Sequence, residues 1–358
     1  MSQDEKMGLR HRSKESSPLA KKVVPSGKGL EDKTSKIKHK YSLEQTQIAI
    51  CLPIMIGLWI LGQKFTWISK SFHLQYQIGE GVYEVGSEDL YFVLLWVVIH
   101  TFIRAAVMDL ILGNLASWAN IHNAKGVQRF KEQGWSLIYG LVSFASGLYL
   151  YANSDYFLNC DALYLGWPQD HLPFLFKNYY LIQMGFWIHQ IVVLHIEERR
   201  KDYYQMYSHH IITCALMFAS YYLYFQRVGN VILVIMDVVD IFLSLAKMLK
   251  YCGFTNVCDY VFGLFMTAWI ILRHIVYNYI VWHAWAKAKI LLGDTCEDLA
   301  RQNIKKRMCY HGWEIDCFVG LLAGLQVLFI IWMYLIARVA YKVMSGKGAD
   351  DVRSDDEE

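Results

Sequence analysis

The sequence predicts an all-α polytopic membrane protein, about eight transmembrane helices bundled as a barrel around a lipid tunnel. Three observations carry that prediction. Hydrophobic residues make up 55% of the chain and charged residues 19%, and the mean hydropathy is positive. The apolar residues fall in blocks near 20 long, the length a helix needs to cross ~30 Å of hydrocarbon. A soluble core would break such blocks with a polar face every turn. Finally, ionisable side chains recur inside the blocks, where they are tolerated only when they face a cavity or one another.

The elements follow in order. Residues 1–44 are rich in Lys, Ser and Gly without an apolar period, so they read as a disordered basic segment on the cytosolic side. They lack the apolar stretch of a signal peptide. Residues 45–88 hold the first crossing and a lumenal loop, and residues 89–342 hold the rest. The predicted helices are 46–62, 89–112, 135–152, 178–196, 206–225, 230–250, 257–284 and 314–342. Eight crossings put both termini in the cytosol. The basic loop with Lys125, Arg129 and Lys131 and the segment Arg199–Asp202 then face the cytosol, and the acidic loop 153–177 faces the lumen. The loop 285–313 runs against this pattern, because it carries Arg301, Lys305, Lys306 and Arg307 on the lumenal side. The tail 343–358 is acidic and reads as disordered; its Ser354 precedes Asp355, Asp356, Glu357 and Glu358, a setting for phosphorylation by an acidophilic kinase.

The net charge of +3 is uninformative because it is segregated between the two ends, and nothing in it suggests a nucleic-acid partner. The eight cysteines form no CxxC pair, so no zinc site or disulfide framework is signalled; Cys296 and Cys309 could pair if their loop is lumenal. The 12 Trp and 24 Tyr, many at block ends, suit interfacial belts. Polar groups at His100, Arg104, Asp109, Gln183, His189, Gln190, His195, Arg273, His274 and Asn278 imply a shared polar interior.

The densest chemistry lies between Arg199 and Tyr251. His209 and His210 are adjacent, so on a helix they point ~100° apart. Asp237 and Asp240 on the following helix are three apart and share a face, which Ser244 extends. Counted from the short turn between the helices, Asp240 should lie level with Thr213, so a contact between a histidine and an aspartate needs tilt or a bridging group. A neutral imidazole beside a carboxylate suits base or nucleophile chemistry. The tunnel implies a lipid substrate, and the bases near Arg199, Arg200 and Lys201 suit an anionic head group such as the phosphates of coenzyme A. Acyl transfer from a thioester to a lipid nucleophile fits all three. A lone membrane histidine such as His189, His195 or His274 is more often a packing residue. The HxxHH and HxxxH boxes of membrane di-iron enzymes are absent, and no metal or other cofactor is expected. Two other readings are a non-enzymatic lipid-binding or lipid-sensing protein, and an acyltransferase acting on another lipid.

The residues Arg200-Lys201-Asp202-Tyr203, His209-His210-Ile211-Ile212-Thr213, Ser220-Tyr221, Asp237-Val238-Val239-Asp240 and Lys247-Met248-Leu249-Lys250-Tyr251 closely resemble the signature of ceramide synthases. These are members of the TRAM–LAG1–CLN8 superfamily. The likeness covers about residues 90–342, including Phe186-Trp187 and Arg273-His274, and is greatest to the fungal branch. One local departure is His189, where some relatives have Gln. The resemblance implies N-acylation of a sphingoid base (dihydrosphingosine or phytosphingosine) by a long or very-long-chain fatty acyl-CoA in the endoplasmic reticulum membrane. It further implies a small single-pass accessory subunit and a homo- or heterodimer. Carried over residue by residue, it makes His209, His210, Asp237 and Asp240 catalytic. Arg199, Arg200, Lys201, Asp202, Thr213, Lys250, Arg273 and His274 are the candidates for binding substrate.

Overall fold

The computed structural model describes residues 42–302, 304 and 308–344. Most of the basic segment 1–44, Lys305, Lys306 and Arg307, and nearly all of the tail with Ser354 lie outside the described residues. Eight long helices account for most of the rest: α1 (Leu43–Gly62), α2 (Asp89–Trp118), α3 (Ala124–Ala152), α4 (Phe174–Ile196), α5 (Tyr203–Tyr222), α6 (Gln226–Tyr251), α7 and α8 (Gly312–Met344). The seventh runs without a break through Thr255–Ala268, Trp269–Val276 and Tyr277–Leu292.

The helices extend beyond the predicted spans where the chain is amphipathic rather than uniformly apolar. α3 starts eleven residues early, at Ala124, where the Asn123 side chain accepts a hydrogen bond from the backbone of Lys125 at 3.1 Å. Its first turns carry Lys125, Arg129 and Lys131, which hydropathy alone assigns to a loop. Six described helices are long and apolar enough to cross a membrane; α4 and α5 fall below that measure. The reason is composition, because these two carry Lys177, Gln183, His189, Gln190, His195, His209 and His210.

Helix neighbours define the architecture. α3 packs along α6, α6 along α7, α7 along α8, α8 on α5, α5 on α4, and α4 closes back on α3. Six helices thus form a ring, with α2 packed outside on α4 and α1 outside on α2. Close approach within the ring relies on small residues. At Gly147 of α3, an added Cβ would meet the Tyr179 hydroxyl at 2.5 Å and a Val234 methyl at 2.9 Å. Two helices contain π-helical stretches, Val107–Leu112 in α2 and Trp269–Val276 in α7. Such insertions re-aim side chains and concentrate at functional sites; the second contains Arg273.

One end of the ring is tied by short elements. A three-stranded antiparallel sheet, β1 (Gln77–Gly79), β2 (Val82–Tyr83) and β3 (Leu172–Pro173), joins the α1–α2 and α3–α4 connections. Lys177 rises beneath it, fully buried. Its ammonium donates to the Gln75 carbonyl at 2.8 Å and the Glu84 carbonyl at 2.7 Å and pairs with Asp89 at 2.7 Å. Tyr221 donates to the other Asp89 oxygen at 2.8 Å. At the same end Cys296 and Cys309 are joined by a disulfide. Buried Tyr310 donates to the carbonyls of Lys289 at 3.1 Å and Gly293 at 2.8 Å, packing the α7–α8 loop against Trp167.

Candidate active site

Among the described residues, two cavities lie within the ring. The first is walled by α5, α6, α7 and α8 and is almost entirely apolar: Leu216, Met217, Val228, Ile232, Leu233, Phe318 and Leu322 contribute to its surface. From His209 to Ser220 along α5 it runs ~16 Å towards the disulfide end. The second has the larger polar share of lining, hereafter the polar cavity, and reaches the opposite end of the ring, where Glu132, Glu197, Arg200, Asp202 and Lys247 line it.

The two cavities share Trp187, His209, Asp240 and Arg273. That junction brings together His209, Asp240 and Arg273 of the residues singled out in the sequence. His209 sits six residues into α5, edge-on between Trp187 and Trp332, with ring centroids 5.6 and 5.4 Å away. Its Nδ1 is buried without a hydrogen-bond partner. His210 lies beside it, centroids 5.5 Å apart, and also packs on Trp187, but it faces only the polar cavity. Helical geometry requires this divergence of neighbouring side chains.

The carboxylates are engaged elsewhere. Asp240 accepts from Arg273 Nη2 at 2.7 Å. The Arg273 guanidinium lies over the Trp269 ring at 4.3 Å and the Phe329 ring at 5.0 Å, and its Nε has no hydrogen-bond partner. Asp237 accepts from Ser143 Oγ at 2.6 Å. The sequence leads one to look for an aspartate orienting His209; among the described residues neither imidazole bonds to a carboxylate. The cause is the ring order. α6 sits between α3 and α7, so each aspartate meets a flanking helix instead of the sequence-adjacent α5.

The remaining sequence candidates divide sharply. Arg200 lines the polar cavity and pairs with Glu132 at 3.0 Å. Asp202 lines it too, but is buried and accepts from Trp332 Nε1 at 3.3 Å, which fixes the indole beside His209. Thr213 lines the apolar cavity one turn below His209, its hydroxyl without a partner. Arg199 stacks over Tyr203 at 4.8 Å and lines neither cavity, nor do Lys201 and Lys250. Lys247, one turn before Lys250, is the lysine of α6 at the cavity wall. His274 lines neither cavity and bonds to Trp269 at 3.2 Å and Gln326 at 2.8 Å, a packing role.

The shared polar interior is smaller than the sequence implies. Arg104, Gln190 and Arg273 line the polar cavity. His100 and His189 are instead buried among Trp96, Tyr139 and Phe186. His195 and Asn278 bond to carbonyls one turn back in their own helices. No cluster of potential metal ligands forms among the described residues.

Comparison with known proteins follows the same boundary. The TLC domain family profile matches residues 129–338, the ring α3–α8. The chain is similar to sphingosine N-acyltransferase lag1 of Schizosaccharomyces pombe, 38% identical over 359 residues, covering 98% of this chain and 91% of the relative. It is 39% identical to the sphingosine N-acyltransferase-like protein ALT7 of Alternaria alternata over 78% of this chain and 69% of that one. To ceramide synthase LAG1 of Saccharomyces cerevisiae it is 36% identical, over 79% and 68%.

Proposed function

The chain belongs to the TLC-domain family, and from that premise we propose how its two cavities join an acyl chain to a lipid amine. It is a multi-pass membrane N-acyltransferase that acylates a sphingoid base from a fatty acyl-CoA, a ceramide synthase. The acyl chain, long or very long, lies in the apolar cavity. The coenzyme A head group occupies the polar cavity near Arg200 and Lys247, and the thioester rests at the junction. The observation that carries this is that His209 alone of the two imidazoles borders both cavities.

His209 attacks the thioester carbon with its cavity-facing nitrogen, the C–S bond breaks, and the thiolate leaves an acyl-imidazolium. Arg273, clamped by Asp240 and two aromatic faces, presents its unpaired Nε to the developing oxyanion. Preorganised donors of this kind are among the largest single contributions in acyl transfer. The ammonium form of the base gives up one proton before attack. Its nitrogen then bonds to the acyl carbon as the bond to His209 breaks, and His210 takes the second proton. The thiolate takes up one of these protons and the other passes to solvent. No metal or further cofactor enters.

The test mixes the purified protein with acyl-CoA and a sphingoid base and follows free thiol and ceramide together. Ceramide with stoichiometric thiol is expected; thiol without ceramide would leave only a thioesterase. Arg273→Lys keeps the charge but loses the planar fork, so kcat/KM should fall by roughly 10²-fold. Unchanged kinetics would remove Arg273 from the oxyanion role.

The same reading puts the protein in the endoplasmic reticulum membrane with both termini cytosolic. The disulfide supports it, because such bonds persist in oxidising compartments and this one lies in the loop assigned to the lumen. In denatured, unreduced protein, six of the eight cysteines should take up a maleimide, and all eight after reduction. Eight labelled before reduction would remove the bridge and that support. A single-pass accessory subunit and a dimer belong to the proposal as well.

A further inference from the structure

Asp237 is the end of a hydrogen-bonded chain that the two imidazoles do not touch. Tyr139 Oη donates to Gln183 Oε1 at 2.8 Å, Gln183 Nε2 donates to Ser143 Oγ at 2.5 Å, and Ser143 Oγ donates to Asp237 Oδ2 at 2.6 Å. All three bonds run in one sense, towards a single carboxylate oxygen. The chain draws on α3, α4 and α6, and its middle members are nearly sealed, Ser143 at 4% and Gln183 at 3% exposure. Tyr139 is held flat against Phe186, centroids 3.4 Å apart and planes within 8°. Tyr139 and Asp237 both border the polar cavity that holds His209 and His210. A buried network in which every member is satisfied rigidifies its end group. Here it pins Asp237 Oδ2 and leaves Oδ1 as the oxygen not engaged by Ser143.

We propose that Tyr139, Gln183 and Ser143 are positioning residues that hold Asp237 as the carboxylate receiving the ammonium group of the incoming long-chain base. This rests on the N-acyl transfer reading above. A long-chain primary amine is an ammonium ion at neutral pH, as the lysine side chain is. Asp240 is committed to Arg273, so Asp237 is the carboxylate of α6 left to meet that charge beside the acylated His209. The ammonium passes one proton to Asp237, and the neutral amine then attacks the acyl carbon as described. The brace thus governs the amine and not the acyl donor.

The experiment measures steady-state kinetics with each substrate varied in turn, for Ser143→Ala, Ser143→Thr and Tyr139→Phe. Ser143→Ala should raise KM for the sphingoid base about tenfold while KM for acyl-CoA stays put, the loss expected for a hydrogen bond to a charged group. Ser143→Thr, which keeps the hydroxyl, should restore it. Tyr139→Phe keeps the stacked ring and should give a smaller shift of the same kind, on the order of threefold; it serves as the reading if Ser143→Ala does not fold. In an Asp237→Asn background, neither Ser143→Ala nor Tyr139→Phe should have a further effect on amine KM. Wild-type-like kinetics in both variants, equal shifts for both substrates, or effects that persist in the Asp237→Asn background would overturn the brace. Failure of the wild-type protein to make ceramide would instead overturn the reading on which it rests.

Discussion

His209→Ala should lower ceramide formation by at least about 10³-fold with the protein still folded and still binding acyl-CoA. Positioned acid–base groups contribute roughly 10²–10⁴ in rate, and a residue that also carries the acyl group sits at the upper end. The side chain is only half-buried and makes ring contacts but no hydrogen bond among the described residues, so its removal leaves no polar partner stranded. Stability should therefore change little. His210→Ala should be milder, nearer 10²-fold, because His210 meets only the polar cavity. Intact mass after incubation with acyl-CoA alone supplies the second measurement. The wild type and His210→Ala should gain one acyl group, and His209→Ala should gain none. An adduct that survives in His209→Ala would move the nucleophile elsewhere. Activity retained in a well-folded His209→Ala/His210→Ala protein would remove the histidine mechanism altogether.

The largest effect on stability is expected far from that junction. Lys177→Met should destabilise the fold by about 3–5 kcal/mol, the cost of removing one member of a buried ion pair. The ammonium donates to two carbonyls of the α1–α2 connection and pairs with the Asp89 carboxylate. Methionine fills the volume but strands Asp89 with only the Tyr221 hydroxyl and the Gly86 amide. The apparent Tm in detergent should fall by roughly 6–15 °C. A Lys177→Met/Asp89→Leu double variant, which removes both charges, should recover part of the loss, because an apolar pair is often as stable as a buried ionic one. An unchanged Tm in Lys177→Met would mean that the pair is hydrated and carries little.

Lys177 also marks where the sequence stops being legible. The predicted fourth helix begins at residue 178, so hydropathy treats this lysine as a flanking charge. The helix in fact starts at Phe174 and buries it completely. Nothing local distinguishes a membrane-flanking lysine from one that will find an aspartate 88 positions earlier (177 − 89). Arg273 is similar: its place in the sequence flags it, but the π-helical stretch that aims it at the junction has no sequence signal.

Read alone, the chain showed an all-α polytopic membrane protein, of which six described helices are long and apolar enough to cross a bilayer, and it singled out His209, His210, Asp237 and Asp240 as candidates. Those properties follow from hydropathy over a single helix and from spacing within a turn. Which groups meet is settled by the fold. Asp237 went to Ser143 and Asp240 to Arg273, and His209 rather than His210 came to stand where the apolar and polar cavities join. The physical reason is the order of helices around the ring. That order is set by packing between segments far apart in the chain, and it places α6 between α3 and α7 with no mark in either helix's own periodicity.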